Sequence, residues 1–192
     1  MDGILLVVSG PAGSGKNTVC ERLMSSCKNI TRAITTTTRA PRLGEADGKD
    51  YHFVSVEEFE SAAKRGDFYE WAMVHGRYYG TSKSEILSKL ESGKDVILII
   101  DVQGAKAWRE IAKKDAAVAK SLRSVFIRPQ SLDVVRERMV LRGDEKEDIE
   151  RRIKTAEREL LEEKNFDFAF VSKTKDEDFI SLKNIYEQIK KA

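Results

Sequence analysis

Residues 4–8, Ile4-Leu5-Leu6-Val7-Val8, lead through Ser9 into Gly10-Pro11-Ala12-Gly13-Ser14-Gly15-Lys16-Asn17-Thr18. An unbroken apolar run, a glycine-rich stretch and then apolar residues at helical spacing (Val19, Leu23, Met24) read as a buried strand, a tight turn and a helix. Gly10, Gly13 and Gly15 let the backbone turn sharply and present its N–H groups to one point. The helix opening near Lys16 aims the positive end of its dipole there. Lys16 adds a mobile point charge. Residues 10–18 are therefore candidate polyphosphate ligands. The loop matches G-x-x-x-x-G-K-[ST] through Lys16 and departs at its last position, where Asn17 replaces the hydroxyl that ordinarily meets magnesium. An amide oxygen can approach a cation but cannot ionise. The neighbouring Thr18 lies about 100° further round the helix. The competing reading of this stretch is a surface turn with a solvated lysine.

A chain of 192 residues suits one α/β domain with small insertions. Apolar residues make up 41% and charged residues 34%, enough for a core under a well-solvated surface. A net charge of only +2 does not point to wholesale nucleic-acid binding. No apolar run reaches membrane-spanning length. Met-Asp-Gly precedes the first strand and leaves no room for a cleavable signal, so a cytoplasmic location is expected. Cys20 and Cys27, seven apart on or beside one helix, are about 10 Å apart and read as reduced packing residues. His52 and His75 stand alone, with no metal-ligand spacing around them.

Further along, the pattern predicts a strand at 30–35, a Thr/Arg/Pro/Gly-rich stretch at 36–49 and a short strand at 51–54. A helix follows, opened by the capping box Ser55-Val56-Glu57-Glu58 and running to Arg65. Two strands, 68–74 and 77–79, flank the turn His75-Gly76, and a second capping box, Ser82 to Glu85, opens a helix stopping at Gly93. Residues 96–100 are apolar throughout, as in a parallel strand buried on both faces. Helices at 104–114, 132–141 and 147–163, strands at 124–127 and 168–171, and a closing helix at 178–190 complete the chain. This alternation implies a parallel sheet with helices on both faces. Residues 36–79 interrupt it and read as a partly antiparallel insertion.

Four groups of residues can carry chemistry. Asp101 ends the all-apolar strand, on the edge of the sheet where ligands bind; it could position magnesium or an acceptor, or simply cap the next helix. Arg39 and Arg42, held by Pro41, suit a phosphate monoester or form a solvated basic loop. Glu70 lies within an otherwise apolar strand. Its carboxylate can accept two parallel N–H bonds, as guanine's N1–H and amine offer and adenine's edge does not; the alternative is an exposed acid on a two-sided strand. Arg138 and Arg142 share a helical face, and Arg151 and Arg152 follow a short break. They could close over a transferring phosphoryl group or form surface pairs with acids.

Taken together, these stretches resemble the guanylate kinases. The resemblance spans nearly the whole chain: Gly10–Lys16, Thr35–Arg42, Gly44, Gly48–Phe53, Phe68–Ala72, Tyr78–Thr81, Asp101–Gly104 and Arg142-Gly143. It implies a three-layer α/β P-loop NTPase core with a parallel sheet (residues 1–34, 80–130 and 160–192), a small mixed-β GMP-binding lobe (35–79) and a helical lid (131–159). It further implies phosphoryl transfer from Mg-ATP to GMP, with ATP held by residues 10–18. Arg39, Arg42, Tyr51 and Tyr79 would clamp the GMP phosphate. Glu70, Thr81 and Thr35 would read guanine. Asp101 would lie between GMP and the metal, reached through water, with Asn17 a second candidate metal contact. Lys16, Arg39, Arg138 and Arg152 would stabilise charge during transfer. The chain departs from the family at Asn17, at Ile99, where an Asp is frequent, at Ser172-Lys173, where an Asn is usual, and in a lid about one residue short. Two other functions stay open: a guanylate-kinase-like protein-interaction module, and a kinase for another monophosphate. Small nucleotides are the expected partners, with no nucleic acid, membrane or obligatory protein partner implied.

Overall fold

A computed structural model describes residues 3–74, 76–141 and 143–191, so His75 and Arg142 lie outside the described residues. The first strand, β1 (Leu5–Ser9), is buried at all five positions and leads into α1 (Lys16–Ser26). Then come β2 (Ile30–Arg32), β3 (Thr36–Thr37), β4 (His52–Phe53), α2 (Val56–Arg65), β5 (Phe68–Val74), β6 (Arg77–Ser82) and α3 (Lys83–Glu91). The second half holds β7 (Asp95–Ile99), α4 (Val102–Ala112), α5 (Ala116–Ser121), β8 (Leu122–Arg128), α6 (Leu132–Leu141), α7 (Lys146–Leu160), β9 (Phe168–Val171) and α8 (Lys175–Lys191).

Five strands form a parallel sheet in the order β2-β7-β1-β8-β9. Alternation along β1 explains its unbroken apolar run. Leu6 and Val8 join Val19, Leu23, Leu182 and Tyr186 from α1 and α8 on one face, whereas Leu5 and Val7 join Ile86, Leu90, Trp108 and Val118 on the other. The four remaining strands form a mixed sheet, β4-β3-β6-β5, in which β3 and β4 run parallel and the β3–β6 and β5–β6 pairs antiparallel. Val135, Met139, Ile149 and Ile153 pack α6 on α7, with Ala12 of the glycine-rich loop set against them.

Several boundaries differ from the sequence reading, each for a local reason. The expected strand 30–35 stops at Arg32, and Thr36–Thr37 form β3, too short for any periodicity to appear. Helix α5, six residues capped by the Asp115 carboxylate, is likewise too short for a helical stripe. The Ser55 capping box forms in full. At Ser82 only half of the box forms, because the Glu85 carboxylate instead accepts from the Ile34 N–H at 2.8 Å and pairs with Lys89.

At the start of β7, the fully buried Asp95 accepts from the Ile4 N–H at 2.8 Å and the Tyr186 hydroxyl, and pairs with Lys190 at 3.0 Å. Replacing Asp95 by Ala leaves these donors, and the Asn29 amide at 3.4 Å, without this acceptor. The expected loss is about 3 kcal/mol, a drop of roughly 6–12 °C in Tm by thermal melting.

Candidate active site

The glycine-rich loop leaves the carboxyl end of β1 with positive φ at Gly10 (146°), Gly13 (78°) and Gly15 (89°). Space as well as dihedral demands Gly10: a Cβ there would lie 2.3 Å from the Ile127 carbonyl oxygen. Gly15 is the N-cap of α1 and makes no side-chain cap bond, which leaves the helix's first N–H groups facing the loop. The Lys16 ammonium donates to the carbonyls of Gly10 at 2.6 Å and Pro11 at 3.0 Å. Burial lowers its pKa, and the carboxylates of Glu159 and Asp101 oppose that shift. Ser14 is buried, and its hydroxyl has no hydrogen-bond partner among the described residues.

Around the loop lies a cleft of about 720 Å³ that includes Gly13, Gly15, Lys16, Asn17 and Thr18. Arg138 lines it too, donating to the Gly13 carbonyl at 2.9 Å from α6. Arg152 is held by Asp144 at 3.1 Å, within the α6–α7 region. Lys173, noted above as part of a departure from the family, also lines the cleft, as do Arg22, Leu141, Lys175 and Asp178, which carry no sequence signal of their own. Asp178 accepts from the Ser172 hydroxyl at 2.7 Å and the Lys173 N–H at 2.6 Å, so it orders the segment where the sequence departs at Ser172-Lys173.

Asp101 fits its cap reading. It caps α4, its Oδ1 accepting from the Gly104 N–H at 2.7 Å, and its charge acts on Lys16, Glu70 and Glu159. Glu159 was not singled out from the sequence. It lies three residues from Ala156, at the border of α7's apolar stripe, and burial raises its pKa.

On the mixed sheet, Glu70 stands opposite Thr81, whose buried hydroxyl donates to its Oε1 at 2.6 Å. Burial raises the Glu70 pKa; the hydrogen bond from Thr81 opposes this and the nearby Asp101 adds to it. The Arg39 guanidinium lies 5.3 Å from the Tyr51 ring, and the Tyr51 and Tyr79 rings meet edge-on at 6.1 Å. Arg39 donates to both oxygens of Glu45, at 2.8 and 2.9 Å, and Glu45 also accepts from the Arg42 N–H at 2.7 Å. Glu45 was likewise missed; an acid three residues after Arg42 was its only trace. The Arg42 side chain is exposed, and Thr35 is half-buried, its carbonyl accepting from the His52 N–H.

A parallel sheet with this strand order, carrying a phosphate loop at the carboxyl end of its central strand, defines a P-loop NTPase fold. A guanylate kinase family model matches residues 3–189. The guanylate kinase of Wolinella succinogenes is 45% identical over 172 residues, covering 89% of this chain and 77% of that protein. That of Helicobacter pylori strain 26695 is 43% identical over 188 residues, covering 97% and 86%. The crystal structure of guanylate kinase from Anaplasma phagocytophilum superposes with a TM-score of 0.72 at 30% identity, covering 98% of this chain and 86% of that one. The chain belongs to the guanylate kinase family.

Proposed function

We infer that this chain transfers the γ-phosphoryl group of ATP to GMP, giving ADP and GDP. The observation that carries the acceptor assignment is the Glu70–Thr81 pair: a half-buried carboxylate, able only to accept when ionised, and close enough to Asp101 to feel its charge. Guanine's N1–H and amine supply the two donors such a group needs, and family membership supports the same choice. In this reading residues 35–79 are the GMP lobe and residues 131–159 the lid.

In this assignment the loop N–H groups, Lys16 and Arg138 hold the triphosphate, with Arg152 joining when the lid moves. Arg39, Arg42, Tyr51 and Tyr79 grip the GMP phosphate, with Glu45 fixing the Arg39 fork. Glu70, Thr81 and Thr35 read the base. An oxygen of the GMP phosphate attacks the γ-phosphorus as the bond to the β–γ bridging oxygen breaks, and the arginines and Lys16 offset the charge. Holding donor and acceptor in line is worth roughly 7–11 kcal/mol in favourable cases.

No group of three acidic, His or Cys side chains suited to a metal occurs among the described residues. The donor set still fits magnesium, which takes few protein oxygens and rides on substrate phosphates. The Asn17 amide oxygen and the second carboxylate oxygen of Asp101 would hold it, the latter through water. Bound there, it would neutralise phosphate charge. Asn17→Ser is expected to raise kcat or lower the magnesium concentration for half-maximal rate, read from a magnesium titration. A clear fall in activity gives the amide its own role.

Among the described residues no helix is long and apolar enough to cross a membrane. We place the enzyme in the cytoplasm, where the free thiols of Cys20 and Cys27 stay reduced. Its partners in this reading are ATP and GMP. A coupled ADP-release assay with ATP and magnesium, run against GMP, AMP, CMP and dTMP, tests the assignment. Preference for GMP supports it; no turnover would mean an interaction module, and preference for another acceptor would refute the guanine reading.

A further inference from the structure

The β5–β6 pairing contains one extra residue. Phe68 pairs with Ser82 and Glu70 with Thr81, after which the register is regular through Trp71–Gly80 and Ala72–Tyr79. Tyr69 is therefore bulged out of the ladder. In regular pleat, Phe68 and Glu70 would share a face. The bulge separates them. Phe68 stacks on Phe59 of α2 at 4.4 Å, on the face that Trp71 and Tyr78 also use, and Glu70 turns to Thr81. Bulges commonly re-aim a side chain beside an active site.

The bulged residue is itself anchored. Its ring meets Trp108 of α4 at 5.1 Å, and its hydroxyl donates to Asp115 Oδ2 at 3.3 Å. Oδ1 of the same carboxylate caps α5, accepting from Ala117 and Val118. Asp101 is the N-cap of α4, so Tyr69 ties the strand bearing Glu70 to the helix that Asp101 caps. Burial and the Asp115 charge raise the phenol pKa to about 12, so the hydroxyl stays protonated beyond the ordinary tyrosine range.

We propose that Tyr69 is a positioning residue for acceptor recognition: its bulge and its contacts with Trp108 and Asp115 set where the Glu70 carboxylate meets the guanine edge. The proposal rests on the guanine reading of Glu70. Tyr69→Phe keeps the ring and removes the hydroxyl. KM for GMP should rise about three- to tenfold, the worth of one hydrogen bond, with KM for ATP unchanged within twofold. Asp115→Asn should act in the same direction. Because Tyr69 acts through Glu70, adding Tyr69→Phe to Glu70→Gln should raise KM for GMP no further.

Steady-state kinetics of the two single Tyr69 and Glu70 variants, their combination and Asp115→Asn decide the matter. A rise in KM for GMP in Tyr69→Phe that vanishes in the Glu70→Gln background supports the proposal. Equal shifts for ATP and GMP, full multiplication of effects in the double variant, or unchanged KM for GMP in Tyr69→Phe overturns it. If Glu70→Gln raises KM and Tyr69→Phe does not, this inference alone fails. If Glu70→Gln itself leaves KM for GMP unchanged, the guanine reading fails and takes the inference with it.

Discussion

Lys16→Met is expected to lower kcat by about a thousandfold while leaving Tm at neutral pH equal or higher. On the proposed role of the loop, the rate loss follows from removing its one flexible cation, where charge would develop on the transferring group. In the structure the ammonium rests on the Gly10 and Pro11 carbonyls, within the same loop that would receive the phosphates. The stability effect follows from its depressed pKa, for which burial is the largest cause. A base with a lowered folded pKa costs stability wherever it is charged, and that cost disappears as pH rises through the unfolded value. Methionine removes the cost and keeps the length. ADP release under saturating nucleotides, beside a thermal melt at pH 7, checks both halves. Unchanged kcat would remove Lys16 from the reaction.

How far the sequence discloses this arrangement depends on the range of the interactions. The loop was legible because every part of it is local: apolar β1, three glycines at turning positions, a lysine opening α1. The buried parallel strand β7 and the Ser55 cap were legible for the same reason. What was hidden depends on contacts between distant segments. Glu159 meets the field of Lys16 across more than a hundred residues, and Asp178 enters the cleft only because α8 packs on α1. The Tyr69 bulge is invisible in a run such as Phe-Tyr-Glu-Trp-Ala, since the alternation it breaks belongs to the pairing with β6. Resemblance to a family supplied the joint reading of Arg39, Tyr51, Tyr79, Glu70 and Thr81; spacing alone left Arg39 and Glu70 divided between a site and a solvated surface, and gave Tyr51, Tyr79 and Thr81 no reading.

Glu70→Gln should reduce kcat/KM for GMP about a hundredfold and leave KM for ATP unchanged, because one acceptor becomes a donor facing a donor. The same change should not destabilise the protein. Burial raises the Glu70 pKa, with the Asp101 charge adding to the shift and the Thr81 hydroxyl opposing it. A carboxyl with a raised folded pKa costs stability once ionised, and the cost fades as pH falls toward its unfolded value. The neutral amide avoids it at pH 7, so Tm should hold or rise. If Glu70 reads guanine as proposed, the shift should also make GMP recognition acid-sensitive. As pH falls through a midpoint above the ordinary carboxylate range, Glu70 gains a proton and loses an acceptor, and kcat/KM for GMP should drop before KM for ATP responds. The Gln variant, with nothing to titrate at that position, should lack this limb of the profile. A parallel fall in wild type and variant would place the titrating group elsewhere, and equal damage to both nucleotides would deny Glu70 its part in choosing the acceptor.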